Sequence, residues 1–191
     1  MSDAVGQLHP RRPISIDARR PVAEALAVTG LDPARLVLEI TESTAMAPNS
    51  QEQLLALRAT GIRLAIDDFG TGHSSLSRLA VLPVNALKVD RSFVRDIPVV
   101  GDAPLVRAMI AMAHSLGLTV VAEGIETREE LDACIEMGIH CGQGFYLGRP
   151  LPAWKLFDAD PTGLPPHCPF VRYDLLPKLP APELPRPALR R

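Results

Sequence analysis

Two adjacent carboxylates, Asp67 and Asp68, follow a short apolar run in the sequence. Neighbouring carboxylates repel each other and lose hydration on burial unless a cation neutralises them. The loop that follows is rich in glycine and hydroxyl side chains, and its Gly70, Thr71 and Gly72 could present donors to a phosphate. An isolated pair of this kind is also typical of a surface turn. The apolar run before the pair predicts a buried strand, which favours a position of Asp67 at the mouth of a barrel.

Three further charged residues lie within or directly after apolar runs. Glu39 lies inside one run, Lys88 inside another, and Glu123 directly after a third. A charge inside a buried strand needs a partner or a cavity, and otherwise marks an exposed edge. Lys88 could hold a phosphate oxygen, orient a water or pair with Asp67 or Glu39. Glu123 could bind a metal or take a proton from water.

The candidate ligands are hard oxygen donors, and the sequence has no His-x-x-His, HExxH or CxxC spacing. Carboxylate sites of this type favour Mg²⁺ or Mn²⁺ over Zn²⁺. With a lysine and a glycine-hydroxyl loop, they suggest metal-assisted hydrolysis of a phosphate ester. Glu126 and Thr127 follow Glu123, and Thr127 is predicted to cap the next helix over Glu130.

Short apolar runs alternate with helical patterns along the chain. The runs predicted as strands are 14–16, 36–40, 62–66, 86–89, 118–122 and 140–147. The helical patterns cover 22–29, 51–60, 74–79, 104–116 and 128–137. Repeated strand-helix-strand units predict a parallel sheet in an α/β protein.

The polar residues at the strand ends favour a TIM-type (β/α) barrel over a doubly wound sheet. Glu42 and Gln143 add to the residues already described, so nearly every predicted strand leads into a chemically useful side chain. A barrel gathers all such ends at one face, whereas a doubly wound sheet binds at one switch point. Such barrels usually need about 250 residues and eight strands. The barrel is therefore expected to be incomplete at its N-terminal side.

The composition limits the classes of function. The chain has 191 residues and a formal net charge of -2, which argues against a DNA, RNA or anionic-membrane binder. Three cysteines without metal-site spacing fit reduced thiols in the cytoplasm. No apolar run is long enough to span a bilayer. Residues 1–20 are expected to be a loose segment with a remnant strand, 21–156 the main domain, and 157–191 a proline-rich linker.

Five segments resemble, in order, the motifs of EAL domains. They are LEITE at 38–42, DDFGTGHSSL at 67–76, LKVDRSFV at 87–94, VAEGIET at 121–127 and QGFY at 143–146. The resemblance implies a modified TIM barrel that acts in bacterial cyclic-di-GMP signalling. It also implies hydrolysis of cyclic di-GMP to linear pGpG with two Mg²⁺ or Mn²⁺ ions.

The resemblance also implies roles for individual residues. It implies metal ligands at Glu39, Asp67 and Asp68. It implies that Lys88 orients water or phosphate and that Glu123 is the catalytic base or a ligand of the second metal. The remaining implied roles are support of the loop after Asp68 by Glu42 and Glu126, and substrate binding by Gly70, Thr71, Gly72 and Gln143.

Four departures from the family pattern concern the start of the domain and the loop. The Glu-Ala-Leu strand with its metal-binding Glu has no counterpart, since Glu24-Ala25-Leu26 falls in a predicted helix. Asp17 stands where Asn is expected, either as a substitute ligand or as an accidental match, and the stretch to Glu39 is about ten residues short. His73 replaces the usual Tyr.

Three hypotheses follow. The chain is a cyclic-di-GMP phosphodiesterase impaired by the missing strand, or a non-catalytic module that binds cyclic di-GMP or a partner, or a truncated gene product whose barrel begins upstream. By resemblance alone, a homodimer is also expected.

Overall fold

The computed structural model describes residues 18–71, 76–100 and 103–149. The predicted strand at 14–16, the residues Asp17, Gly72 and His73, and the proline-rich tail lie outside these ranges. The five remaining predicted strands and the main helices fall within them.

The described strands form one fully parallel sheet in sequence order. The strands are β1 Val37–Thr41, β2 Arg63–Phe69, β3 Ala86–Val89, β4 Thr119–Ala122 and β5 Cys141–Gly142. A doubly wound sheet reverses its strand order at a switch point, and these five strands show no reversal. The α/β class and barrel-type winding are therefore confirmed, with five strands of a barrel that normally has eight.

Helices connect the strands on the outside of the sheet. They are α1 Arg19–Thr29, α2 Glu42–Ala45, α3 Ser50–Arg58, α4 Leu76–Leu79, α5 Arg91–Val100, α6 Pro104–Ser115 and α7 Arg128–Glu136, with a 3₁₀ turn at Pro33–Arg35. None of the helices in the described ranges is long and apolar enough to cross a membrane.

Side-chain alternation gives the sheet two different faces. On the helix-covered face, residues such as Leu64, Leu87 and Val120 are fully buried in the main core. The other face carries a small separate cluster of Val37, Ala65 and Ala86. Because successive side chains in a strand point to opposite faces, each position two residues further along shares the face of this cluster. Those positions are the polar residues Glu39, Asp67 and Lys88.

The β2 strand departs from regular geometry where its two aspartates lie. Its register with β3 shifts between Ile66 and Phe69. Asp68 has a φ of 54°, in the left-handed region that few non-glycine residues adopt. Such bulges often re-aim a side chain beside a functional site.

Candidate functional site

Lys88 lies at the centre of an acidic cluster. Its Nζ atom lies 2.9 Å from Glu39 Oε1 and 2.7 Å from Asp67 Oδ1, and it also contacts the Glu123 carboxylate. The Lys88 side chain is only 4% exposed. Burial by itself would lower the pKa of Lys88, but hydrogen bonds to Asp67, Glu123 and Glu39 outweigh it and raise that pKa. The ammonium therefore stays charged and joins side chains from β1, from β2 and from the end of β4.

Asp68 completes a carboxylate group beside the lysine. One oxygen from each of Asp67, Asp68 and Glu123 lies within 4.8 Å of the others. Glu39, Asp67 and Glu123 contact the Lys88 ammonium, and Asp68 adds a fourth carboxylate beside them, which leaves an excess of negative charge. Oxygen ligands of one Mg²⁺ ion can lie about 4.2 Å apart at most, so a small closing movement would suffice. The donor set therefore fits a hard divalent cation.

Glu123 is held from several directions. Gln143 Nε2 donates a 2.8 Å hydrogen bond to Glu123 Oε1, and the Glu123 amide donates to the Val89 carbonyl at 3.1 Å. Burial raises the pKa of the Glu123 carboxyl to about 7, against the opposing effect of Lys88. Gly144 allows Gln143 this position, because a Cβ at Gly144 would collide with the backbone of Ile125.

The start of the loop after Asp68 is hydrogen-bonded to the first residue of α2. The Gly70 amide donates a 2.9 Å hydrogen bond to Glu42 Oε2, and Glu42 is itself only 5% exposed at the start of α2. Thr71 Oγ1 donates to the Asp68 carbonyl at 2.9 Å. Glu42 and Gly70 thus lie in contact, as support of this loop by Glu42 requires, whereas Gly72 lies outside the described residues.

Glu126 was expected to support the loop after Asp68, but the contact it makes in the described part of the chain is with a residue of α5. Its carboxylate pairs with Arg91 Nη2 at 2.9 Å. The predicted capping of α7 is confirmed, since Thr127 and Glu130 form a reciprocal capping box. Sequence reasoning missed Arg91, because it lies in a helix that the sequence did not predict.

The EAL domain model of protein families matches residues 15–150. The bifunctional diguanylate cyclase/cyclic di-GMP phosphodiesterase MucR of Pseudomonas aeruginosa is 45% identical over 138 residues, which are 71% of this chain and 20% of MucR. The oxygen sensor protein DosP of Escherichia coli is 43% identical over 140 residues, which are 71% of this chain and 17% of DosP. The chain thus spans about a fifth of the length of these curated relatives.

Solved structures show the same similarity. The MucR phosphodiesterase in complex with cyclic di-GMP has a TM-score of 0.68 and 44% identity over 72% of this chain and 57% of that one. The EAL domain of Mycobacterium smegmatis DcpA has a TM-score of 0.69 and 40% identity over 75% and 66% of the two chains. A manganese and cyclic-di-GMP complex of Klebsiella pneumoniae BlrP1 has a TM-score of 0.62 and 37% identity over 70% and 35%.

Proposed function

The chain belongs to the EAL domain family, and we propose that its carboxylate site hydrolyses one phosphodiester bond of cyclic di-GMP to give linear pGpG. The observation that carries this proposal is the group of Asp67, Asp68 and Glu123 oxygens beside the buried Lys88. An excess of negative charge at a strand-end mouth suits a divalent cation and, through it, a phosphate.

Glu39, Asp67 and Asp68 would hold Mg²⁺ or Mn²⁺, with the Glu123 carboxylate beside them. When bound, the cation supplies Lewis-acid stabilisation of the charge that develops on the phosphate. The MucR and BlrP1 structures, solved with cyclic di-GMP, support this ligand. The manganese form of BlrP1 supports the type of metal.

The protein side chains have separate tasks in this proposal. Glu123 takes the proton of the attacking water, and Gln143 keeps the Glu123 carboxylate turned toward the site. Lys88 holds three carboxylates in one arrangement, and it can turn an N–H group to water or to a phosphate oxygen when one of these three contacts opens. Glu42 accepts the amide hydrogen of Gly70 and so fixes the start of the loop that follows Asp68.

We expect slow turnover by this chain alone, because the sequence has no counterpart of the Glu-Ala-Leu strand. With one carboxylate fewer at a two-metal site, less of the positive charge of the cations is neutralised, so they should bind more weakly. A non-catalytic cyclic-di-GMP module is the alternative, and the experiment below separates the two.

The test is incubation with cyclic di-GMP and Mn²⁺ or Mg²⁺, with pGpG quantified by chromatography and ligand affinity measured by calorimetry. We expect slow formation of pGpG that stops with EDTA and falls at least about a hundredfold in Glu123→Gln. The exposed Glu129→Gln, six residues further along, is the matched control and should retain activity. Saturable binding without any turnover would establish the non-catalytic module. Absence of binding would contradict both.

A further inference from the structure

Arg91 lies against the residue that follows Glu123. The carbon stem of Arg91 covers Gly124, where an added Cβ would lie 2.5 Å from Arg91 Cγ and 2.7 Å from its Cβ and Cδ. Gly124 has a φ of 68°, so the chain turns sharply directly after Glu123. The Arg91 stem therefore fills the space beside this turn.

The guanidinium of Arg91 reaches past Gly124 to the far side of the turn. Its Nη2 atom pairs with Glu126 Oε2 at 2.9 Å. The Glu126 amide donates to the Glu130 carboxylate at 2.6 Å, which connects this residue to the first turn of α7. Arg91 thus bridges the end of β3 and the segment between β4 and α7.

The Arg91–Glu126 ion pair lies close in sequence to Lys88 and Glu123, the central residues of the site. Arg91 lies three residues after Lys88, and Glu126 lies three residues after Glu123. Both partners therefore extend from strand ends that carry central residues of the site. We propose that Arg91 is a positioning residue that fixes the turn after Glu123 and hence the direction of the Glu123 carboxylate. This inference rests on the proposed phosphodiesterase function.

The Arg91–Glu126 ion pair is exposed enough that its loss should affect the position of the turn more than the stability of the fold. The side chains of Arg91 and Glu126 are 53% and 38% exposed. Ion pairs of this exposure contribute little to stability, because water and salt screen them. Losing the bridge should therefore leave the fold intact while allowing the turn to move. Small misplacements of a reacting group cost much more in rate than in stability.

The experiment compares Arg91→Ala, Arg91→Lys and Glu126→Gln with the full wild-type chain. The readouts are kcat and KM for cyclic di-GMP with Mn²⁺, the melting temperature, and amide hydrogen exchange of segment 123–127 without metal or substrate. Arg95→Ala is the matched control, since Arg95 lies on the same helix and is 65% exposed.

We expect Arg91→Ala to lower kcat about tenfold with KM within about twofold and to speed exchange in the segment. Arg91→Lys keeps most of the carbon stem and the positive charge. Its kcat and its exchange rate in segment 123–127 should therefore lie close to those of wild type. The double variant Arg91→Ala/Glu126→Gln should be no worse than Arg91→Ala, because the two residues act through one contact.

Unchanged exchange in Arg91→Ala would overturn the inference, as would a higher KM at constant kcat, which would mean direct substrate binding. Additive losses in the double variant would also overturn it. A wild-type chain without turnover would contradict the proposed function alone, since the exchange experiment tests the bridge without substrate.

Discussion

A carboxylate oxygen of Asp68 lies within 4.8 Å of one of Asp67, although the two residues are successive members of β2. In a regular strand their side chains would point to opposite faces of the sheet. The bulge and the φ of 54° at Asp68 remove that alternation. Aspartate tolerates the left-handed region better than most residues. The local backbone thus brings the two carboxylates to the same side of the sheet.

Asp68→Asn is expected to weaken Mn²⁺ binding and to stabilise the metal-free protein. Asparagine also tolerates the left-handed region, so the bulge should persist. The variant removes one charge from the carboxylate group, which should lower Mn²⁺ affinity at least about tenfold. It also relieves repulsion among the acids, so the melting temperature in EDTA should rise. Calorimetric titration and thermal melting measure the two effects.

The control for this variant is Asp96→Asn, which removes a charge from a 61% exposed position on α5. It should alter neither quantity. Equal Mn²⁺ affinity in Asp68→Asn and wild type would mean that Asp68 is not a ligand.

Lys88→Met is expected to destabilise the metal-free protein strongly. The substitution leaves Glu39, Asp67 and Glu123 without the ammonium that now contacts all three. Breaking a buried charge pair on one side costs about 3–5 kcal/mol. Urea denaturation in EDTA measures this loss. Added Mn²⁺ should restore part of the stability, because a cation would again balance the acids.

A second variant separates charge from packing. Adding Glu39→Gln to Lys88→Met removes one uncompensated acid, so the double variant should be more stable than Lys88→Met alone. If Lys88→Met and the double variant were equally unstable, the loss would come from the packing of the lysine stem and not from uncompensated charge.

The sequence predicted the parts of this fold that follow from side-chain periodicity. Apolar runs identified the four longer strands, and polar residues at their ends identified the face that carries Glu39, Lys88 and Glu123. The predicted strand at 140–147 is only Cys141–Gly142, because the chain then turns and the amides of Leu147 and Gly148 donate to the Gly144 carbonyl. Periodicity gives no information about where a turn interrupts an apolar run.

The sequence analysis missed two structural features near the site, helix α5 and the bulge at Asp68. Helix α5 contains Pro98, which normally breaks a helix interior. Burial of Val94 and Ile97 outweighs this cost, and the spacing of these two residues was the available signal. The bulge at Asp68 is a backbone property that depends on pairing with β3, so Asp-Asp in the sequence does not specify it.

Gly70→Ala is expected to destabilise the protein more than Gly30→Ala. Both glycines have positive φ, so alanine costs about 1–2 kcal/mol at each position. A Cβ at Gly70 would also collide with the Met109 side chain and lie 2.7 Å from Phe93 Cε2, whereas nothing lies within 4 Å at Gly30. Overpacking adds about 1–3 kcal/mol. Urea denaturation measures the difference, and equal losses would contradict the tight contact at Gly70.

The stability of the protein is expected to fall on acidification through protonation of His140. The Val120 amide donates to His140 Nδ1 at 3.0 Å, which requires the neutral ring with its proton on Nε2. Burial, and then the charge of His114, lower the pKa of His140 below 6.5. The folded state thus binds this proton less readily than the unfolded state. The contribution of His140 is fully present above pH 6.5 and is lost as the pH falls from there through the lower folded-state pKa.

His140→Asn tests this prediction, since its side-chain oxygen can accept the same amide hydrogen without titrating. The free energy of unfolding should be measured from about pH 7.5 to about pH 5 in both proteins. Glu123, with a pKa of about 7, titrates in the same window in both and cancels in the difference between them. Wild type should lose stability relative to His140→Asn as the pH falls. Parallel profiles would show that the Val120–His140 hydrogen bond does not depend on the protonation of this ring.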